Sequence, residues 1–141
     1  MKKIKQIILL SMLLIFSTYS FAQSIIDSNN DTIAIIDNNL IFNVEGDTIG
    51  EFLINGEIKN KLMETIIGNI EGSQLKNAEG NSMGYLDESD NVYDMNGHQV
   101  GKIQSQTFFL DSNNMTIGTS TSVITPVKLA AYFLFFFGYY N

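Results

Sequence analysis

The chain has 141 residues and a formal charge of −7, from 15 acids, 8 lysines and no arginine, with one histidine, one proline and no cysteine or tryptophan. That length fits one domain. The absence of cysteine excludes a disulfide framework, a thiolate metal or redox site, a thiol nucleophile and a lipid attached through an amino-terminal Cys. One imidazole excludes a His-rich metal centre and His-pair catalysis within a chain, and the acidic balance argues against nucleic acid, whose backbone calls for clustered Lys and Arg.

The amino terminus has the three parts of a secretory signal. Lys2, Lys3 and Lys5 open it, Ile7–Phe16 is apolar apart from Ser11, and Ser20 and Ala22 stand at −3 and −1 of a cut before Gln23. An uncleaved membrane anchor is the alternative, but a span needs about 20 apolar residues and this run is shorter. Residues 1–22 are therefore expected to be a signal peptide. The remaining chain, Gln23–Asn141, is expected outside the cytoplasm, in the periplasm, at the cell surface or in the medium. Removing the leader takes three lysines and no acid, leaving a charge of −10.

From Ile25 onward the chain repeats. Ile25–Ile36, Ile41–Phe52, Ile58–Ile70, Leu75–Leu86, Val92–Ile103 and Phe109–Ser120 align on one template, their starts 16, 17, 17, 17 and 17 residues apart. Self-similarity at a fixed stride precedes every other fold argument. The first column is bulky and apolar: Ile25, Ile41, Ile58, Leu75, Val92 and Phe109. The third is always Asp or Asn: Asp27, Asn43, Asn60, Asn77, Asp94 and Asp111. The fifth and sixth form a turn pair such as Glu45-Gly46 or Asn96-Gly97, and the eighth is mostly Thr. The ninth is apolar, the tenth is Ala34 and then Gly50, Gly68, Gly84, Gly101 and Gly118, and the twelfth is again apolar except for Ser120. The third segment carries one extra residue, read as Ile67.

Each segment reads as a short β-hairpin turning at its fifth and sixth residues, where Gly or Asn tolerates positive φ. Folding there places the third column opposite the eighth, as Asp or Asn against Thr, Ser or Gln, and the first column opposite the glycines, where a bulky side chain lies over bare backbone. Asn38-Asn39, Asn55-Gly56, Glu71-Gly72 and Ser89-Asp90 supply further turns between segments. The chain thus turns about every eight residues, giving an all-β meander of about twelve short strands. The ninth and twelfth columns are expected on opposite sheet faces, both apolar, so the sheet must be covered twice or closed around a centre. Ile58–Ile70 has tolerable helical spacing, but the repeat phase continues through it.

The carboxyl end leaves the template. Thr125-Pro126 has the form of a helix N-cap followed by proline at the first helical position. Val127–Tyr140 is an apolar aromatic run of about 14 residues, too short for an ordinary span. It reads as a helix that fills the centre or covers one face of the repeats. A surface for self-association, a protein or a membrane is the alternative use, and a strand stays open for Tyr132–Phe137. The organisation is thus a leader at 1–22, β-hairpin repeats at 23–124 and an apolar segment at 125–141.

The 17-residue hairpin repeat, the recurrent Asp/Asn and glycine columns and the apolar tail resemble the secreted bacterial five-fold β-flower proteins over about Ile25–Phe137. Cut between the eighth and ninth columns, the chain has five complete units: Ile33–Thr48, Ile49–Thr65, Ile66–Ser82, Met83–Gln99 and Val100–Thr116. Ile25–Thr32 and Ile117–Ile124 are left as half-units able to close the ring. The resemblance implies a closed, flower-like fold and no chemistry. A β-solenoid or small propeller shares much of the pattern.

Candidate chemistry is sparse. His98, beside the Asn96-Gly97 turn, reads as an exposed turn residue, since a general base needs a positioned partner. Asp27-Ser28-Asn29-Asn30-Asp31 has oxygen ligands spaced as in a calcium loop, but Thr32 stands where such loops need glycine and Asn38 where they need glutamate. Asp87, Glu88 and Asp90 read as a solvated loop, and no GxSxG elbow or phosphate-cradling glycine loop is present. No catalytic residue, cofactor or metal is assigned. The expectation is an extracytoplasmic, non-catalytic structural or binding module that meets a protein or glycan at the envelope. Assembly or membrane contact through the aromatic tail is the second reading, and a small hydrolase the third.

Overall fold

A computed structural model describes residues 22–137, so the leader assigned to residues 1–22 lies outside the described residues except for Ala22. The repeat stride lays down twelve strands: β1 (Gln23–Asp27), β2 (Thr32–Asp37), β3 (Leu40–Phe42), β4 (Thr48–Phe52), β5 (Glu57–Asn60), β6 (Thr65–Glu71), β7 (Gln74–Asn77), β8 (Ser82–Leu86), β9 (Asn91–Asp94), β10 (Gln99–Gln104), β11 (Phe108–Asp111) and β12 (Thr116–Ser120). Ile58–Ile70 is accordingly strand and turn, not helix. One helix follows, α1 (Pro126–Phe135).

Every strand pairs antiparallel with its sequence neighbours, and β1 pairs with β12, Ile25 opposite Ser120 and Ile26 opposite Thr119. The result is a closed barrel with no free sheet edge. The two half-units thus make a sixth hairpin-like pair, joined by hydrogen bonds rather than by a turn.

The third column sets the turn. The N–H of Asp27 donates to the Asp31 carbonyl at 2.9 Å, and the N–H of Asn30 donates back to the Asp27 carbonyl at 3.2 Å. Asn43, Asn77, Asp94 and Asp111 repeat both bonds. The sixth column holds positive φ, from 62° at Asn114 to 90° at Gly46. This is a type I turn followed by a left-handed residue, one residue longer than the expected two-residue loop.

A second irregularity follows. The register shifts between the first and second columns of every hairpin: Ile25 faces Ala34, but Ile26 faces Thr32, so Ile33 is a bulge residue. The same shift leaves Ile49, Ile67, Met83, Val100 and Ile117 as bulges. It corrects two expectations. Except in the third segment, where Asn60 faces Thr65 as expected, the eighth column lies opposite the second and not the third, as in Phe42 with Thr48 and Tyr93 with Gln99. The ninth and twelfth columns share the inner face, because one extra residue cancels the alternation of side chains.

The third segment also needs revision. Asn60 faces Thr65 and Lys59 faces Ile66, so Ile67 is an ordinary bulge residue and the extra residue lies in the turn, where Glu64 takes φ 53°. Ile66 is displaced outward and is 37% exposed.

The expected pairing of bulk against glycine holds around the ring: Ile41 with Gly50, Ile58 with Gly68, Leu75 with Gly84, Val92 with Gly101 and Phe109 with Gly118. All six first-column residues are buried. Between hairpins, the anticipated turns place Asn38, Gly56, Gly72 and Asp90 at positive φ. A fifth, unanticipated, puts Ser105 and Gln106 there at 54° and 57°.

Helix α1 occupies the lumen. Pro126 takes its first position, and the Thr125 carbonyl accepts the N–H groups of Lys128 and Leu129, while the Thr125 side chain makes no capping bond. Leu129, Ala130, Ala131, Tyr132, Phe133 and Leu134 are all buried. Six consecutive residues cover more than a full turn, so the helix is enclosed on every side. Tyr132–Phe135 is therefore helical, and Tyr132, Phe133 and Leu134 belong to the core, whereas Phe137 is exposed. The inter-hairpin end is marked by Lys128, whose Nζ donates to Asn39 Oδ1 at 2.8 Å. The opposite end is marked by Leu134, which borders a cavity with Met95 and Asn96.

Candidate functional site

The inner wall is a set of glycine slots, most of them filled by a ring. A Cβ built on Gly50 would fall 2.3 Å from Phe136 Cζ, and one on Gly68 would fall 2.5 Å from Phe135 Cζ. Gly118 is covered by Phe133, and Gly101 meets Phe109 at 3.3 Å. The absent side chain lets a flat ring approach the strand backbone. The sequence gives the bare backbone to first-column side chains, but three slots go to the tail. Glycine spacing locates the slots and cannot say which ring enters each.

Gly84 differs. Its nearest neighbours are backbone atoms of Tyr93 and Asp94. Beside it lies a cavity of about 270 Å³, bordered by Leu75, Met83, Val92, Val100 and Leu134, with Asp94, Met95 and Asn96 on its solvent side. Nothing in the sequence distinguishes Gly84 from the other glycines. The cavity arises because Phe133, Phe135 and Phe136 are committed to other sectors.

The recurring Asp and Asn side chains act within their own turns. Asp94 Oδ1 accepts the N–H groups of Asn96 and His98, both at 2.8 Å, and Asp111 Oδ1 does the same for Asn113 and Met115. Asn77 and Asp27 follow the same pattern. The backbone N–H groups of Asp31, His98 and Met115 are the leading reason that Asp27, Asp94 and Asp111 stay below the usual carboxylate range. A carboxylate accepting two N–H bonds is favoured in its charged form.

The sequence candidates fall on these turns. His98 projects from one, and its Nδ1 lies 3.3 Å from Asp94 Oδ2 with the side chain 79% exposed. The Asp27–Asp31 stretch is the first turn, with Asp27 Oδ1 bound by Asn29 and Asp31 N–H groups at 2.8 and 3.0 Å. Asp87 is more than a solvated loop residue. It accepts from the Asn91 amide, from the backbone of Asn91 and Ser89, and from the Tyr93 hydroxyl at 3.3 Å, with Asn91 the main cause of its lowered pKa. Among the described residues, no three His, Asp or Glu side chains gather as a metal cluster.

The intra-hairpin turns all lie at one end of the barrel, and that rim carries exposed apolar side chains among polar ones. Val44, Leu62, Met63, Met95 and Met115 are each more than half exposed there. Acids and amides of the same turns separate them. Ion pairs occur at the rim and on the wall alike: Lys61 and Glu64 of one rim turn pair with Glu51, at 3.3 Å, and with Lys59, and Lys76 pairs with Glu71 on the wall.

The family model described as 5-fold beta-flower protein matches residues 22–137. No curated protein and no solved structure matches the chain.

Proposed function

The chain belongs to the 5-fold beta-flower protein family, and from that premise we propose that it is a non-catalytic binding module of the bacterial envelope, engaging a protein through its intra-hairpin rim. The observation that carries this reading is the exposure of Leu62, Met63, Met95 and Met115 at one end of the barrel, from 62% to 71%. Methionine and leucine on a rigid frame suit a protein surface, because a polarizable, unbranched side chain adapts to irregular contacts. The acids interleaved among them oppose an anionic lipid surface, and the chain as a whole carries −7. The amino-terminal pattern supports export. The groups nearest to acid–base use, Asp94 with His98 and Asp87 with Tyr93, stabilise local turns on the exterior.

Site-specific photo-crosslinking in cells tests this. A probe at Met63 or Met95 is expected to trap one discrete protein in the envelope fraction, and a probe at Lys102, on the wall, is not. Equal products from all three positions, or a chain retained in the cytoplasm with residues 1–22 attached, defeats the reading.

A further inference from the structure

We infer that the cavity beside Gly84 is a binding site for a small, uncharged molecule bearing a single aromatic ring. The inference does not rest on the protein-binding reading or on cellular location, although Met95 belongs both to the rim and to the cavity. Five interior positions around the barrel are glycine, and at four of them an aromatic ring lies against the space a side chain would occupy: Phe136 at Gly50, Phe135 at Gly68, Phe109 at Gly101 and Phe133 at Gly118. Backbone oxygens also come close at Gly68 and Gly101, but at the fifth glycine, Gly84, the three nearest atoms are all backbone of Tyr93 and Asp94, and beside it lies a cavity of about 270 Å³. The fold therefore sets an aromatic ring at four of the five glycines, and among the described residues no ring takes the fifth. A dry apolar cavity of about 150 Å³ suffices for benzene, so a substituted ring fits here with room to spare.

The lining sets the chemistry further. Met83, Val100 and Leu134 offer apolar contact, and methionine sulfur favours aromatic edges. Asp94 on the solvent side is held ionised by its own turn, first through the His98 N–H, so a carboxylate on the ligand meets like charge at the entrance. The open side near Met95 and Asn96 leaves a hydroxyl or amine substituent in water.

The test is titration of the full chain with p-cresol, cyclohexanol and benzoate, followed by calorimetry and by chemical-shift changes at Gly84 and Val100. Saturable p-cresol binding is expected, with cyclohexanol and benzoate each at least ten-fold weaker. Val100→Phe and Leu134→Phe, which place a ring in the slot from the wall and from the helix, are expected to weaken p-cresol at least ten-fold while unfolding cooperatively. Val44→Ser, on the rim away from the cavity, is the control and should bind as the parent does. Equal affinity for cyclohexanol, or undiminished binding in both filled variants, overturns the inference. A chain ending at Phe137 is titrated alongside. Binding that appears only in that chain means that the protein's own Tyr139 or Tyr140 claims the slot, which overturns it as well.

Discussion

Phe133 is stacked on Phe109 with ring centroids 4.5 Å apart, and its Cζ lies only 2.2 Å from where a Gly118 Cβ would stand. Phe133 is fully buried and also meets Tyr132 edge-on at 5.2 Å, so the ring has nowhere to retreat. Gly118→Ala is therefore expected to destabilise by about 3 kcal/mol, the upper part of the overpacking range. Adding Phe133→Leu should recover part of that loss, because two residues in direct contact do not behave additively. Denaturant unfolding of the two single variants and the double variant measures it, and a purely additive cycle contradicts the contact.

The Asp members of the third column make stability fall in acid. Their native pKa values lie below the ordinary 3.8 because the turn N–H groups bind the charged form. The unfolded chain binds protons first, so the contribution is whole above about pH 4 and disappears as pH falls through the native values. The repeats that carry Asn43 and Asn77 show that the amide serves the same turn. Asp27→Asn, Asp94→Asn and Asp111→Asn together should keep the fold at neutral pH and flatten the acid limb of the stability profile. At the alkaline end, burial pushes the Tyr132 phenol up to about 12. Stability therefore falls as pH rises above about 10, and Tyr132→Phe is expected to reduce that limb and leave the part due to Tyr93, whose pKa burial also raises.

How much of this was legible follows from which features are periodic. The stride, the left-handed sixth column and the pairing of the first column with glycine recur in every copy or nearly so, and the chain displays them directly. The bulge at the ninth column is equally regular, yet Ile33 or Val100 looks like any strand residue, since an extra residue carries no composition of its own. Missing it put the ninth and twelfth columns on opposite faces, and missing the third loop residue misplaced the partner of Asp27. The slot at Gly84 was beyond reach for another reason: it is the sector that Phe133, Phe135 and Phe136 leave unfilled, and that is decided by helix phase inside the barrel rather than by any local residue.

The one turn that the sequence did not announce is also the one with the least suitable residues. Ser105 and Gln106 both sit at positive φ, where a side-chain-bearing residue is strained by about 1–2 kcal/mol. A two-residue turn of this kind prefers Asn followed by Gly. Ser105→Asn with Gln106→Gly is expected to stabilise by about 1 kcal/mol, since added freedom in the unfolded chain offsets part of the relief. The bond from Ile124 N–H to the Gln106 carbonyl, at 3.1 Å, involves backbone only and survives the change. A lower thermal midpoint for the double variant would show that another contact holds this turn.

The tail was open to two uses, core or contact surface, and the burial of α1 makes a sharp distinction between its residues. Phe133→Ala removes a fully buried ring from between Phe109 and Gly118 and is expected to cost about 3–5 kcal/mol. Lys128→Met keeps the aliphatic stem and loses the Asn39 bond and the ammonium 5.6 Å from the Phe52 ring centre, an expected cost of about 1 kcal/mol. Deleting everything from Pro126 onward strips the lumen of its filling and leaves the inward faces of Ile25, Ile58, Leu75 and Ile103 against water. A closed sheet with an empty apolar centre has no partner for those side chains, so the shortened chain is expected to lose cooperative unfolding and the dispersion of its amide resonances. Were it to remain a folded monomer with the strand pairing intact, the helix would be a removable plug and the barrel would be stable on its hydrogen bonds and turns alone.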